Sequence, residues 1–135
     1  MSNTGELSPA VVKYFLPFGI IFVSLQSKTM WMEQNEVIER IKETAERVLP
    51  RGASLWLYGS RARGDARPDS DYDLLILIDN EDSMSDADSA AYDLCVLGFD
   101  YGVEVNPHIY SKKRWDSWTY SPFYKNVEQD KIVLR

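Results

Sequence analysis

The chain has 135 residues, of which 44% are hydrophobic and 27% charged, as is typical of one soluble globular domain. Its formal net charge of -6 argues against general nucleic-acid binding, because an acidic surface repels phosphates. The single cysteine, Cys95, excludes an internal disulfide and a thiolate metal site. We interpret it as a small core residue, and a cytoplasmic location is expected.

Residues 1–31 differ in character from the rest of the chain. Residues 14–25 are almost wholly apolar, but this run is shorter than the ~20 residues that span a bilayer, so no membrane span is expected. Three interpretations stay open: an upstream extension before a true start at Met30 or Met32, a packed N-terminal segment, and an export signal. The extension is favoured, which leaves residues 32–135 as the functional domain.

Hydrophobic periodicity predicts the next elements. Apolar residues at helical spacing predict a helix from Glu33 to Leu49, ended by the proline and glycine that follow. The segment SLWLYG at 54–59 predicts a short strand, and residues 60–70 predict a turn of helix followed by a loop. The segment YDLLILI at 72–78 is apolar on both faces, which is typical of a central strand.

A helix and a third strand are expected after the central strand. Ser85, with Asp88 three residues later, resembles a capping box at the start of the helix. Gly98 and Gly102 are expected to bracket the turn into a strand over residues 103–110.

Short elements and aromatic residues complete the chain. Short helices are expected over residues 112–118 and 121–128, and a final strand over 132–134. This order of elements indicates an α/β (α+β) fold with a small mixed β-sheet flanked by helices. Core packing is the first interpretation of an aromatic cluster near the C-terminus, and a partner-binding patch is the alternative; the cluster comprises Trp115, Trp118, Tyr120, Phe123 and Tyr124.

Two carboxylates stand at the start of the central strand. Asp71 and Asp73 are two residues apart, so on a strand they point to the same face, roughly 6.5 Å apart. Two like charges at this position need a positive partner, and Mg²⁺ prefers carboxylate oxygens completed by substrate phosphates. In the structural alternative, Asp71 caps a turn and Asp73 pairs with Arg61 or Arg63.

A glycine and a serine follow the preceding strand. At Gly59 and Ser60 backbone amides can approach a phosphate closely, and the hydroxyl adds a hydrogen bond. Arg61 and Arg63 are candidates for neutralising the charge of a triphosphate. Each half of the pattern is common alone, but the two together, in this order, indicate nucleotide binding.

The segment from Gly59 to Asp79, GSRARGDARPDSDYDLLILID, resembles the signature of the DNA polymerase β-like nucleotidyltransferase superfamily. Its compact form is similar to the minimal nucleotidyltransferases, many of which are antitoxins encoded beside a HEPN-domain toxin. The resemblance covers residues 33–135 and implies the DNA polymerase β-like nucleotidyltransferase fold.

The resemblance also implies a third metal-binding carboxylate on a later strand. Glu104, between Val103 and Val105, takes that place, although the family more often has aspartate there. The alternative is an ordinary surface glutamate. By strand alternation Asn106 and His108 share the face of Glu104.

The reaction implied by the resemblance is transfer of a nucleoside monophosphate from a nucleoside triphosphate, ATP by analogy, to a hydroxyl group. Two Mg²⁺ ions are implied, with Asp71, Asp73 and Glu104 as ligands. The acceptor is expected on a partner protein such as a HEPN-type toxin, or on a second subunit of an oligomer. Two other classes stay open: a non-catalytic module that neutralises a partner by contact, and a nucleotidyltransferase for small molecules such as aminoglycosides with a separate acceptor-binding subunit.

Overall fold

The computed structural model describes residues 11–16 and 19–135, with side chains described from Glu33 onward. The chain divides after Ile38 into two compact units. In the first unit, β1 (Val11–Leu16) pairs antiparallel with β2 (Gly19–Ser24). The predicted extension over residues 1–31 lies partly outside the described residues and stays a prediction.

Helix α1 (Leu25–Val48) begins well before the predicted start at Glu33. The residues added at its start include leucine, glutamine, lysine and methionine, which favour helix, and no proline or glycine interrupts them. The periodic positions Ile41 and Ala45 are fully buried, as their spacing predicted. Within the described part of the chain, no helix is long and apolar enough to cross a membrane.

The second unit is built on a four-stranded mixed sheet with the strand order β5-β4-β3-β6. Strand β3 (Ser54–Tyr58) pairs antiparallel with β4 (Tyr72–Ile78), and β4 pairs parallel with β5 (Val105–Ser111). The short β6 (Ile132–Val133) pairs antiparallel with β3. The predicted fold class, α/β (α+β) with a small mixed sheet, is confirmed, and the apolar run lies in the central strand.

Helices cover the sheet. The remaining helices are α2 (Ser60–Arg63), α3 (Met84–Tyr101), α4 (Lys112–Asp116) and α5 (Pro122–Asp130). Helix α3 lies against β5 and β4.

Most of the C-terminal aromatic cluster belongs to the core. Trp115 is 1% exposed and packs with Leu75, Leu77 and Val127. Its indole donates a hydrogen bond of 3.0 Å to Glu128, which satisfies the one polar atom of the buried ring. Phe123 and Tyr124 pack against the same group, whereas Tyr120 is 77% exposed.

The predicted start of α3 is wrong. The helix begins at Met84 with Ser83 at its N-cap, so Ser85 lies inside the first turn and forms no capping box. A 3₁₀ turn over Glu81–Ser83 leads directly into the helix. That turn is itself capped by Asn80, whose side-chain oxygen accepts a hydrogen bond from the Asp82 amide.

The predicted role of Gly98 is also wrong. Gly98 is buried inside α3, and Gly102 alone ends the helix, at a φ of 64°. A Cβ at residue 98 would lie 2.6 Å from the Val103 carbonyl and 3.1 Å from Val105 Cγ2. The glycine therefore allows α3 to lie close to the chain that enters β5, and that strand begins at Val105 rather than Val103.

Gly98→Ala is expected to destabilise the protein by about 1–2 kcal/mol, because overpacking against the Val103 carbonyl exceeds the gain in helix propensity. Urea denaturation measures the change in the free energy of unfolding. Ser89→Ala, at an exposed position of the same helix, is the control and should stay within about 0.5 kcal/mol of wild type. Equal stability of Gly98→Ala and wild type would show that α3 moves away without cost.

Candidate functional site

The turn after β3 meets the start of β4 at one end of the sheet. Antiparallel pairing sets Tyr58 opposite Asp73, so Gly59 follows directly beside that carboxylate. A Cβ at Gly59 would lie 2.7 Å from Asp73 Oδ2, and the residue has a φ of 77°. Both the backbone conformation and the close approach require glycine here. The two halves of the sequence pattern therefore touch, as the interpretation of a single site requires.

Asn106 joins the two carboxylates across the parallel strand pair. It lies opposite Asp73 in the register of β4 and β5, and its Nδ2 donates a hydrogen bond of 2.9 Å to Asp71 Oδ2. Its hydrogen bonding also favours the ionised form of Asp73, and this contribution by itself acts to lower the pKa of Asp73. Strand alternation in the sequence places Asn106 only on the face of Glu104. The signal that would have identified it is the strand register, which the sequence does not display.

The pKa of Asp73 is raised above its ordinary value. Burial is the largest cause, and the charge of Asp71 adds to it, while Asn106, His108 and Arg63 act in the opposite direction. The ionised form of Asp73 is therefore incompletely stabilised by the surrounding protein, and a bound cation would favour it.

Glu104 lies immediately before β5 with its side chain exposed. Its carbonyl accepts a hydrogen bond of 2.8 Å from the Tyr72 amide, so extending the parallel register by one residue sets Glu104 beside Asp71. Among the described residues, no group of three or more His, Cys, Asp or Glu side chains is arranged to hold a metal ion. A role for Glu104 as third ligand stays a prediction.

The guanidinium of Arg61 is directed towards the loop that leads to Asp71. Arg61 is 4% exposed, and it donates hydrogen bonds of 2.9–3.2 Å to the carbonyls of Ser70 and Pro68. It also lies 4.4 Å from the centre of the Tyr72 ring. These contacts hold the loop that leads to Asp71, and a role for Arg61 in nucleotide binding stays a prediction.

Arg63 remains at the surface. Its guanidinium pairs with Asp65 at 3.1 Å and with Asp130 at 2.8 Å, and its side chain is 46% exposed. The pair with Asp65 is exposed on both sides and contributes little to stability, whereas the Asp130 side chain is only 12% exposed. Ser60 is half-buried as the first residue of α2, and its carbonyl accepts hydrogen bonds from Gly64 and Asp65.

Two further side chains border the carboxylates. Burial, followed by the charge of Asp73, raises the pKa of Tyr58 to about 12, so its hydroxyl stays protonated near neutral pH. His108 is exposed, with its ring 6.5 Å from that of Phe123. Both residues lie on the face of the sheet that carries Asp73.

The donor chemistry of this end of the sheet fits a hard divalent cation. Mg²⁺ is commonly bound by one or two carboxylates, with phosphates and water completing its ligands. Asp71 and Asp73 are both partly exposed and share one face of the sheet. The surrounding protein does not fully stabilise the ionised form of Asp73. The pair therefore matches what such a cation needs from a protein.

A cleft elsewhere in the second unit is not a competing site. It has a volume of about 680 Å³, and its walls carry charges of both signs from α1 and α3. Its Arg40 already pairs with Glu43 at 3.1 Å and donates to the Tyr101 hydroxyl at 3.1 Å. None of the predicted site residues lines it.

Comparison with known proteins identifies a family. The family described as nucleotidyltransferase domain matches residues 37–134. A search of curated proteins gave no match. One similar solved structure is the crystal structure of a Sulfolobus solfataricus protein described as a nucleotidyltransferase. The two sequences are 21% identical, the match covers 77% of this chain and 84% of that chain, and the TM-score is 0.48. Another similar structure is that of a toxin–antitoxin with AMP-PNP. The two sequences are 16% identical, the match covers 73% of this chain and 72% of that chain, and the TM-score is 0.50.

Gly59→Ala is expected to lower the free energy of unfolding more than Gly64→Ala, by about 1–3 kcal/mol, because its Cβ also collides with Asp73. Gly64 is a matched control: its φ is 85°, but a Cβ there meets nothing within 4 Å. Urea denaturation of the two variants provides the comparison. Equal losses would show that the contact with Asp73 relaxes without cost.

Asn106→Ala is expected to raise the pKa of Asp73 further, because a hydrogen bond that favours the ionised form is lost. Since the folded-state pKa of Asp73 exceeds the unfolded value of about 3.9, the folded state binds the proton more tightly. The contribution of Asp73 to the free energy of unfolding therefore falls as pH rises from its unfolded-state pKa through its folded-state pKa. Asn106→Ala should extend this fall to higher pH.

Carboxyl ¹³C NMR titration measures the effect of Asn106→Ala. Asn80→Ala, in the turn before α3, is the control and should leave the Asp73 titration unchanged. An unchanged or lower Asp73 pKa in Asn106→Ala would contradict the hydrogen bonding described above.

Proposed function

The chain belongs to the nucleotidyltransferase domain family, and from that premise we propose that it transfers AMP from ATP to a hydroxyl group on a partner protein. The observation that carries the proposal is the meeting of Gly59 with Asp73, beside Asp71, at one end of the sheet. This arrangement joins a turn suited to phosphates with a carboxylate pair suited to a cation. The functional domain is proposed to span residues 32–135, which the family match over residues 37–134 supports.

Each site residue has a distinct part in this proposal. Two Mg²⁺ ions would be held by Asp71, Asp73 and Glu104, and they would neutralise phosphate charge and make the acceptor hydroxyl more acidic. Gly59 and Ser60 would contact the phosphates, with Arg63 adding positive charge at the surface. Arg61 and Asn106 would act indirectly, by positioning the loop before Asp71 and by holding the carboxylates.

The reaction is a displacement at the α-phosphorus of ATP. The acceptor oxygen forms a bond to that phosphorus while the bond to the bridging oxygen of the β-phosphate breaks, and pyrophosphate leaves. The hydroxyl proton passes to a carboxylate, for which the exposed Glu104 is the candidate. Most of the rate enhancement would come from positioning and charge neutralisation.

The partner protein is proposed to be a toxin of the HEPN type, with this chain as its antitoxin. One structural neighbour, a toxin–antitoxin with AMP-PNP, supports both a protein partner and an adenine nucleotide. A tyrosine hydroxyl on the partner is the proposed acceptor.

A non-catalytic binding module is the second candidate. It is favoured by one observation: within the described residues, Asp71 and Asp73 are not joined by a third carboxylate, histidine or cysteine in a metal-binding group. In this case the chain would neutralise its partner by contact alone.

The decisive experiment follows label from α-³²P-ATP in the presence of Mg²⁺, with and without the protein encoded by the adjacent gene. The Asp71→Asn/Asp73→Asn variant is expected to lose activity by at least about 10²-fold, because the charges that hold the cation are removed while the side-chain shapes are kept. Asp82→Asn, at an exposed position beyond the far end of β4, is the matched control and should retain wild-type activity.

Label on the partner protein together with released pyrophosphate, both lost in the double variant, would support the proposed transfer. A stable complex without label, formed equally by wild type and double variant, would reject it and leave the non-catalytic module.

A further inference from the structure

Three large apolar side chains form a stripe on the outer face of α3. Tyr92, Val96 and Phe99 are 69%, 39% and 80% exposed, and their i, i+4, i+7 spacing aligns them along one side of the helix. The buried residues of this helix, Ala87, Ala90, Leu94 and Gly98, lie on the opposite side. We call the stripe of three residues the α3 ridge. Apolar residues exposed in a contiguous line indicate an interaction surface, whereas scattered ones do not.

Three aspartates of α3 border the α3 ridge, and beyond Asp100 the cleft beside α1 also carries Arg40 and Arg47. Asp88, Asp93 and Asp100 are exposed, and helical spacing sets Asp88 along one side of the ridge and the other two along the other side. The sequence of α3, MSDADSAAYDLCVLGFDY, contains no lysine or arginine. A surface that covers this ridge must therefore be apolar at its centre and basic at its edges.

This pattern of charge favours one kind of binding partner for the α3 ridge over two others. A second copy docked through the same ridge would place aspartates against aspartates, and like charges facing each other across an interface are unfavourable. An anionic lipid surface is repelled for the same reason. A helix with an apolar face flanked by lysine or arginine satisfies both the shape and the charge of the ridge.

We propose that the α3 ridge is the docking surface for a basic amphipathic helix of a partner protein. Tyr92 and Phe99 are the aromatic anchors, and Asp88, Asp93 and Asp100 pair with the basic flanks. No ridge residue belongs to the carboxylate site, so the inference does not depend on nucleotide transfer.

The probes that test this surface are three synthetic peptides of equal length. One is an amphipathic helix with leucines on one face and arginines along both flanks, one is the same helix with glutamates in place of the arginines, and one is a scramble of the arginine peptide. Binding to the full chain is measured by fluorescence anisotropy, and analytical ultracentrifugation reports the oligomeric state.

The arginine peptide should bind wild type at least about 10-fold more tightly than the scramble or the glutamate peptide. The Val96→Ser/Phe99→Ser variant should lose a similar factor in affinity for the arginine peptide, and Asp93→Lys/Asp100→Lys, which reverses the charge of one flank, should lose it as well. Tyr120→Ser is the control, because Tyr120 is an aromatic residue of comparable exposure (77%) outside the ridge, and it should bind like wild type.

Three results would each overturn the proposal. One is that neither the arginine peptide nor its scramble binds, or that both bind equally, since equal binding would reflect general attraction to an acidic chain and would not need a helix. A second is undiminished binding by Val96→Ser/Phe99→Ser. A third is a wild-type dimer that this variant dissociates, which would make the ridge a self-association surface.

Discussion

The contact between Gly59 and Asp73 depends on the antiparallel register of β3 and β4. That register sets Tyr58 opposite Asp73, so the first residue after β3 lies beside the carboxylate. A shift of one residue would turn Asp73 to the other face of the sheet, away from Gly59 and Asn106. Burial favours this register, because Leu55 and Leu57 of β3 and Leu74, Ile76 and Ile78 of β4 are fully buried on one face of the sheet. Hydrophobic packing therefore determines where the charged site forms.

The loop between α2 and β4 must return to the end of the sheet where Gly59 lies, and Arg61 holds it there. A buried guanidinium needs acceptors for its donors, and the carbonyls of Ser70 and Pro68 supply them. The Ser70 carbonyl immediately precedes Asp71, so the arginine fixes the backbone at the point where the first carboxylate begins. This explains why two arginines so close in sequence differ: Arg61 is enclosed by the loop, whereas Arg63 stays half-exposed and pairs with Asp65 and Asp130.

The sequence predicted the features that depend on local pattern. The unbroken apolar run of β4, the strand before Gly59 and the mixed sheet could all be predicted because periodicity and composition are local properties. The positions that were missed depend on distances between elements. The sequence predicts a turn at Gly98 because the close packing of this residue against Val103 depends on the tertiary structure and cannot be seen along the chain. Asn106 acquires its partner Asp71 through the parallel register, and register is a tertiary property.

Asn106 also bears on how the carboxylates tolerate each other. An amide opposite Asp73 donates hydrogen bonds without adding charge, so it orders the pair yet leaves most of its negative charge uncompensated. A lysine at the same position would permanently compensate one of the two charges and weaken the affinity of the pair for a cation. The raised pKa of Asp73 reflects this incomplete compensation. The site is thus stable enough to form within the sheet, and its remaining charge is what would draw a cation and a phosphate to the end of β4.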